Sequence, residues 1–77
     1  MKSFYKSKMV EVFKTNVRKK EQSKMLLSIL SDTFPSLKIN FDFSDCDKIL
    51  RVEGEYVEAE KIMLLVKSNG CECEILE

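Results

Sequence analysis

The 77-residue sequence predicts a single α+β domain whose elements follow the order βαββαβ. Two segments repeat apolar residues at helical spacing, and four segments are rich in β-branched and aromatic residues or alternate apolar with polar ones. Turn residues separate these segments. With 44% hydrophobic and 34% charged residues, the composition is that of a globular domain rather than of a disordered chain.

The first half of the chain predicts an arm, a strand and a helix. Residues 1–8 are rich in Lys and Ser and are interpreted as a flexible N-terminal arm. The segment "MVEVFKTNV", residues 9–17, is β-branched and aromatic without a helix breaker, which predicts the first strand. Residues 21–34 repeat apolar side chains at the spacing of one helix face. Pro35 ends this helix, because proline disfavours the helical conformation of the residue before it.

The second half predicts a hairpin, a helix and a last strand. The segment "LKINFDF", residues 37–43, alternates apolar with polar side chains and predicts a half-buried strand. A turn follows, and "KILRVEGE", residues 48–55, predicts the antiparallel partner of that strand. Residues 56–70 have helical periodicity and end at Gly70, which takes the left-handed helix-end conformation without steric cost. The segment "CECEILE", residues 71–77, predicts the fourth strand.

This order is the ferredoxin-like split βαβ plan. Right-handed crossovers then give the sheet order 4-1-3-2, with both helices on one face. The side chains expected to face the helices from the sheet are Phe13, Thr15, Val17, Leu37, Ile39, Phe41, Phe43, Leu50, Val52, Cys71, Cys73 and Ile75. The helices are expected to contribute Leu26, Ile29, Leu30, Ile62, Met63 and Val66.

The open face of the sheet is expected to carry a small apolar strip. Val10, Val12 and Ile49 fall on this face of the neighbouring first and third strands. Such a strip is typical of a surface that binds a partner protein or a second copy of the chain. Scattered exposed aliphatic residues are an alternative interpretation, and so is a strip covered by Phe4 and Tyr5 of the arm.

Composition excludes several classes of site. The chain has no His, so a histidine general base, a Ser-His-Asp triad and a histidine metal site are excluded. Two glycines, Gly54 and Gly70, are too few for a glycine-rich phosphate loop. The predicted third strand lacks the aromatic-glycine pattern of RNA-binding βαββαβ domains, so no nucleic-acid partner is expected. We therefore expect no enzyme activity, no catalytic residue and no cofactor.

The charges balance overall but are unevenly distributed. The sequence holds 13 Lys and Arg and 13 Asp and Glu, yet residues 1–24 carry a net charge of +6 and residues 25–77 one of −6. This asymmetry indicates either a basic patch for an acidic partner or two parts of the chain that attract each other.

The cysteines indicate reduced thiols. Their number, three, excludes complete disulfide pairing, and neither a signal peptide nor a membrane span is recognisable, so a cytoplasmic protein is expected. Cys71 and Cys73 share a face of the last strand, which suits either core packing or a soft metal such as copper or zinc. Cys46 lies in the hairpin turn, roughly 14 Å across the sheet from Cys71, which is too far for a disulfide.

Residues 9–77 resemble the heavy-metal-associated (HMA) domain of copper chaperones and metal-transporting ATPases, in pattern and length from "VEVFKTNV" through "ILRVEGE" to "KSNGCECEIL". That family binds metal through a Met-x-Cys-x-x-Cys loop, which here reads "NVRKKEQSKM". Its thiol positions fall at about Lys20 and Ser23, so the resemblance implies the fold without the metal site. Arg18, Lys19 and Lys20 instead form a basic segment near a helix N-terminus, interpreted as an anion or acidic-partner contact or as solvated charges.

The sequence therefore predicts a non-enzymatic HMA-like domain that acts through protein contacts. The expected partner is an unidentified protein or a second copy, bound at the open sheet face or the basic segment, with neither membrane nor nucleic acid involved. Soft-metal binding through Cys71 and Cys73 is the first alternative. A regulatory domain that binds a small molecule is the second.

Overall fold

A computed structural model describes residues 8–42 and 48–76 of the chain. The elements are β1 Met9–Thr15, α1 Lys20–Thr33, β2 Lys38–Asp42, β3 Lys48–Gly54, α2 Ala59–Ser68 and β4 Cys73–Ile75. The predicted α+β class, with four antiparallel strands and two helices in the order βαββαβ, is confirmed. The expected positions of Phe4, Tyr5, Phe43 and Cys46 lie outside the described residues, as does the arm up to residue 7.

All neighbouring strands of the sheet run antiparallel, in the order β2-β3-β1-β4. The expected order, 4-1-3-2, names the same neighbours counted from the opposite edge. The strand β1 is central: its full length pairs with β3, and its second half pairs with β4. This arrangement is compatible with the ferredoxin-like plan.

Both helices pack on the same face of the sheet. The completely buried side chains of this core are Phe13, Val17, Leu26, Leu30, Leu50, Val52, Ile62 and Val66. They come from both helices, from β1 and β3, and from the loop after β1. Burial of a large aliphatic side chain stabilises a fold by about 1.5–3 kcal/mol, so this shared core holds the helices against the sheet.

The strands β1 and β4 are each shorter than predicted by two residues or more. Hydrogen bonds from side chains replace the backbone pairing at the end of β1 and before the start of β4. The strand β1 ends at Thr15 rather than at residue 17, since the Thr15 hydroxyl accepts the Val17 N–H at 3.3 Å and donates to the Lys48 carbonyl at 3.0 Å. The strand β4 begins at Cys73 rather than at residue 71. There the Glu72 N–H donates to the side-chain carbonyl of Asn16 at 2.8 Å.

Some residues expected in the core are only partly covered. Ile75 was expected to face the helices as a core residue, but 39% of it is exposed, because β4 is a three-residue strand at the sheet edge. Leu37, Ile39 and Phe41 are half-buried, since β2 forms the other edge. The sequence pattern shows which face a side chain takes but not whether a helix reaches far enough to cover it.

Candidate functional site

The open face of the sheet brings the three predicted strip residues onto adjacent strands. Val12 lies opposite Arg51 of β3, and Ile49 lies opposite Lys14 of β1. Val10 is 41% exposed, while Val12 and Ile49 are half-buried. Neither helix covers this face, since both pack on the opposite one.

A fourth apolar residue, Leu76, extends the strip and was missed from the sequence. Its N–H donates to the Val12 carbonyl at 2.8 Å, which continues the β1–β4 register past the end of β4. Leu76 therefore lies beside Val12 on the open face, and 45% of it is exposed. The signal was present in the alternation, because Leu76 follows two residues after Glu74, which was expected to point outward. We call Val10, Val12, Ile49 and Leu76 the open-face strip.

Charges of both signs surround the open-face strip. The Glu53 carboxylate forms two surface ion pairs, one with the Lys8 amine at 3.7 Å and one with the Arg51 guanidinium at 3.6 Å. Exposed side chains on the same face are Lys14, Lys38, Asn40, Asp42, Arg51 and Glu74. Exposed ion pairs contribute only about 0–1 kcal/mol each to stability. These charges therefore affect the choice of binding partner more than the stability of the fold.

The basic segment, Arg18 to Lys20, is exposed where α1 begins. The Arg18 N–H donates to the side-chain carbonyl of Gln22 at 3.4 Å. Ser23 is buried, and its hydroxyl donates to the Lys20 carbonyl at 2.7 Å. Lys20 and Ser23, where the resemblance predicts the HMA thiol positions, thus hold an exposed amine and a buried hydroxyl bonded to the helix backbone, and neither is a soft ligand.

Gln22 ties the start of α1 to the loop that precedes β4. Its side-chain amide donates to the Cys71 sulfur at 3.1 Å, while its carbonyl oxygen accepts the Arg18 N–H. Asn16 joins the same two loops through its bond to the Glu72 N–H. Sequence reasoning missed both contacts, because the partners are more than forty positions apart and follow no spacing rule.

Both described cysteines are buried, as expected, with 4% of Cys71 and 3% of Cys73 exposed. Only Cys73 belongs to β4, since Cys71 precedes the strand. Burial raises the pKa of the Cys71 thiol. Burial also raises the pKa of Cys73, to about 11, despite the opposing effect of Lys67. Burial therefore disfavours the thiolate form, which metal binding and nucleophilic attack require.

The described residues contain no complete metal-binding site. No group of three or more Cys, Asp or Glu side chains in 8–42 and 48–76 is arranged to hold a metal ion. One cleft of ≈ 500 Å³ lies between the end of α1 and the β3–α2 loop. Its lining consists of Phe34, Ser36, Leu37, Glu55, Tyr56 and Glu58, none of them predicted as a site residue.

Neither helix in the described part of the chain has the length and apolar character needed to cross a membrane.

Comparison with protein-family models, with curated proteins and with solved structures gave no match. The physical properties of these surfaces are therefore the basis for inferring function.

Proposed function

We propose that this chain is a non-enzymatic, HMA-like interaction domain that binds a second copy of itself through the open-face strip. The observation that carries the proposal is the apolar row of Val10, Val12, Ile49 and Leu76 on a sheet face that neither helix covers. Contiguous exposed apolar residues with a polar rim are typical of protein–protein contacts.

The polar rim favours a second copy as the occupant. A two-fold interface brings a patch against its own copy, so favourable pairing requires both signs of charge on that patch. Here Lys38 and Arg51 lie on the same face as Glu53 and Glu74. A rim of one sign would repel its copy and favour an oppositely charged partner instead.

The open face is a better candidate than the basic segment. Arg18, Lys19 and Lys20 present charge alone, without neighbouring apolar surface among the exposed residues of that loop. Charge in water contributes mainly to the rate and specificity of association, whereas buried apolar area supplies most of the affinity.

The soft-metal alternative is less well supported. Cys71 and Cys73 are buried, which disfavours their thiolate forms. The resemblance to HMA domains puts Lys20 and Ser23, rather than cysteines, at the family's thiol positions. A metal ion would have to displace both protons and open the core around Cys73. The small-molecule alternative has a cleft but no converging set of predicted residues, so neither alternative is preferred.

Light scattering on wild type and Val12→Glu tests the proposal. Glutamate at position 12 lies opposite Arg51, so the folded monomer is expected to tolerate it, while a carboxylate in the centre of a dimer contact is strongly unfavourable. Wild type is expected to increase in mass with concentration, and Val12→Glu is expected to stay monomeric.

Leu64→Glu is the matched control. Leu64 is 70% exposed on α2, away from the open face, so the same change in charge and polarity should leave association unaltered. Wild type that remains monomeric at every concentration, or equal association of wild type and Val12→Glu, would refute the proposed function.

A further inference from the structure

The cleft between the end of α1 and the β3–α2 loop has walls that are fixed by packing. On one side, the Leu37 N–H donates to the Phe34 carbonyl at 3.0 Å, and Leu37 lies so close to Gly54 that an added Cβ there would collide with it. On the other side, Val57 is buried, and its N–H donates to the Met9 sulfur at 3.5 Å. The volume of the cleft, ≈ 500 Å³, falls in the range of roughly 300–1,000 Å³ that is typical of sites for small ligands.

An aromatic side chain is exposed at this cleft. Tyr56 lines it and is 68% exposed, and it is the only exposed aromatic residue within 8–42 and 48–76. Phe34 lines the same cleft from the end of α1 and is half-buried. Aromatic faces attract cations, and the flat guanidinium group stacks on them while an ammonium group does not.

The charges that line the cleft are negative. Glu55 and Glu58 lie in the β3–α2 loop, and the lining contains neither Lys nor Arg. Glu58 forms an ion pair at 3.3 Å with Lys61 of α2, which offsets one of the two carboxylates. Glu55 forms no ion pair with any residue of 8–42 and 48–76, so its charge remains for a cationic ligand.

The surroundings of the cleft do not reverse this charge. Lys38 follows Leu37 in the chain but lies on the open face across from Glu53, which also pairs with Lys8 at 3.7 Å. The last turn of α1 contains the exposed Asp32 and no basic residue. The C-terminal end of a helix carries a partial negative charge, which favours a cation at this end of α1.

We propose that this cleft binds a guanidinium group, carried either by an arginine side chain of a peptide or by a free guanidinium compound. The group lies against the Tyr56 ring and donates hydrogen bonds to the Glu55 carboxylate, while its aliphatic chain packs on Phe34 and Leu37. None of the four residues of the open-face strip lines the cleft, so this proposal and the proposed self-association can fail independently.

Nuclear magnetic resonance of the isotopically labelled full chain tests the binding. The first probe is arginine with both ends blocked as amides, and its control is citrulline blocked in the same way, which replaces the guanidinium by a neutral urea of similar shape. The second pair is butylguanidinium and butylurea, which lack the peptide groups. Either guanidinium probe is expected to shift the amide signals of Glu55 and Tyr56 to saturation, and the tighter one identifies the source of the ligand. Absence of saturable shifts at the cleft, shifts centred on another element, or equal responses to the urea controls would overturn the proposal.

Two variants test the assigned contacts, and a third is their matched control. Tyr56→Leu keeps an apolar side chain but removes the ring, and Glu55→Gln removes the charge; each is expected to weaken binding about two- to fivefold. Both residues are exposed, so the fold is expected to tolerate the changes. Glu21→Gln makes the same change in charge at an exposed position in the first turn of α1, at the other end of that helix, and is expected to leave the affinity unchanged. Unchanged affinity in both Tyr56→Leu and Glu55→Gln, or an equal loss in Glu21→Gln, contradicts the proposal.

Discussion

At the scale of single residues, burial determines the chemical character of the Cys71 and Cys73 thiols. Cys71 accepts a hydrogen bond from Gln22, and Cys73 packs in the core below α2. Their burial favours the neutral form of both thiols, in which they pack as small apolar side chains. The sequence alone leaves packing and metal binding open for a Cys-x-Cys pair, and burial favours packing.

The raised pKa of Cys73 predicts that stability decreases in alkaline solution. The thiol ionises from its ordinary pKa of 9.0 in the unfolded chain but only at about 11 in the folded one, so folding stability is complete below pH 9 and decreases between pH 9 and about 11. The loss is about 2–3 kcal/mol. Urea denaturation at several pH values measures it.

Cys73→Ala is the control for this pH dependence, because other groups also titrate in that range. The variant is expected to be less stable near neutral pH, through lost packing, and to lose less stability than wild type between pH 9 and 11. Equal pH dependence in both proteins would show that Cys73 is not the group responsible.

Thiol labelling tests whether Gln22 shields Cys71. The native protein is expected to react slowly at both described cysteines, since each is less than one-twentieth exposed. Gln22→Ala removes the amide that covers the Cys71 sulfur and is expected to accelerate labelling of Cys71 more than of Cys73. Rapid labelling of both thiols in wild type would contradict the buried arrangement.

At the scale of secondary-structure elements, the type and order of the elements follow from the local sequence pattern. The residues at which an element begins and ends depend on contacts with residues far away in the chain. The alternation in β2 and the helical periodicity of α1 and α2 are local, and all three were recognised. The end of β1 depends on the contact between Thr15 and Lys48, and the start of β4 depends on the contact between Asn16 and Glu72. Such contacts join residues that only the folded sheet brings together.

The end of α2 was predicted correctly from its glycine, and it provides a direct test. Gly70 has φ 86°, and its N–H donates to the Lys67 carbonyl at 3.0 Å. Alanine at this position is expected to cost about 1–2 kcal/mol, because its Cβ crowds the left-handed backbone. No atom lies within 4 Å of the added Cβ, so the cost arises from backbone conformation alone. Urea denaturation of Gly70→Ala measures it.

Ser68→Ala is the matched control two residues earlier. Ser68 is exposed, and its hydroxyl donates to the Leu65 carbonyl of its own helix. Because alanine is the better helix former, the free energy of unfolding is expected to change little. A cost for Gly70→Ala no larger than that of Ser68→Ala would refute the conformational explanation.

At the scale of the whole molecule, the same sheet separates a closed face from an open one. The helices cover one face so completely that eight side chains have no exposed surface, and the other face retains an apolar strip within mixed charges. The strand pattern predicted this division and three of the four strip residues. Leu76 was missed, although the alternation of the predicted strand placed it on the open face. The exposure of Ile75 was not predicted either, because it depends on how far the helices extend over the sheet edge.

The central claim is that two copies meet through the open-face strip, and amide shifts recorded over a dilution series test it most directly. The account predicts concentration-dependent shifts at Val10, Val12, Ile49 and Leu76, with the signals of the buried α2 residues unchanged. Shifts that are independent of concentration, or that centre on the exposed side of α2 around Leu64, would contradict it.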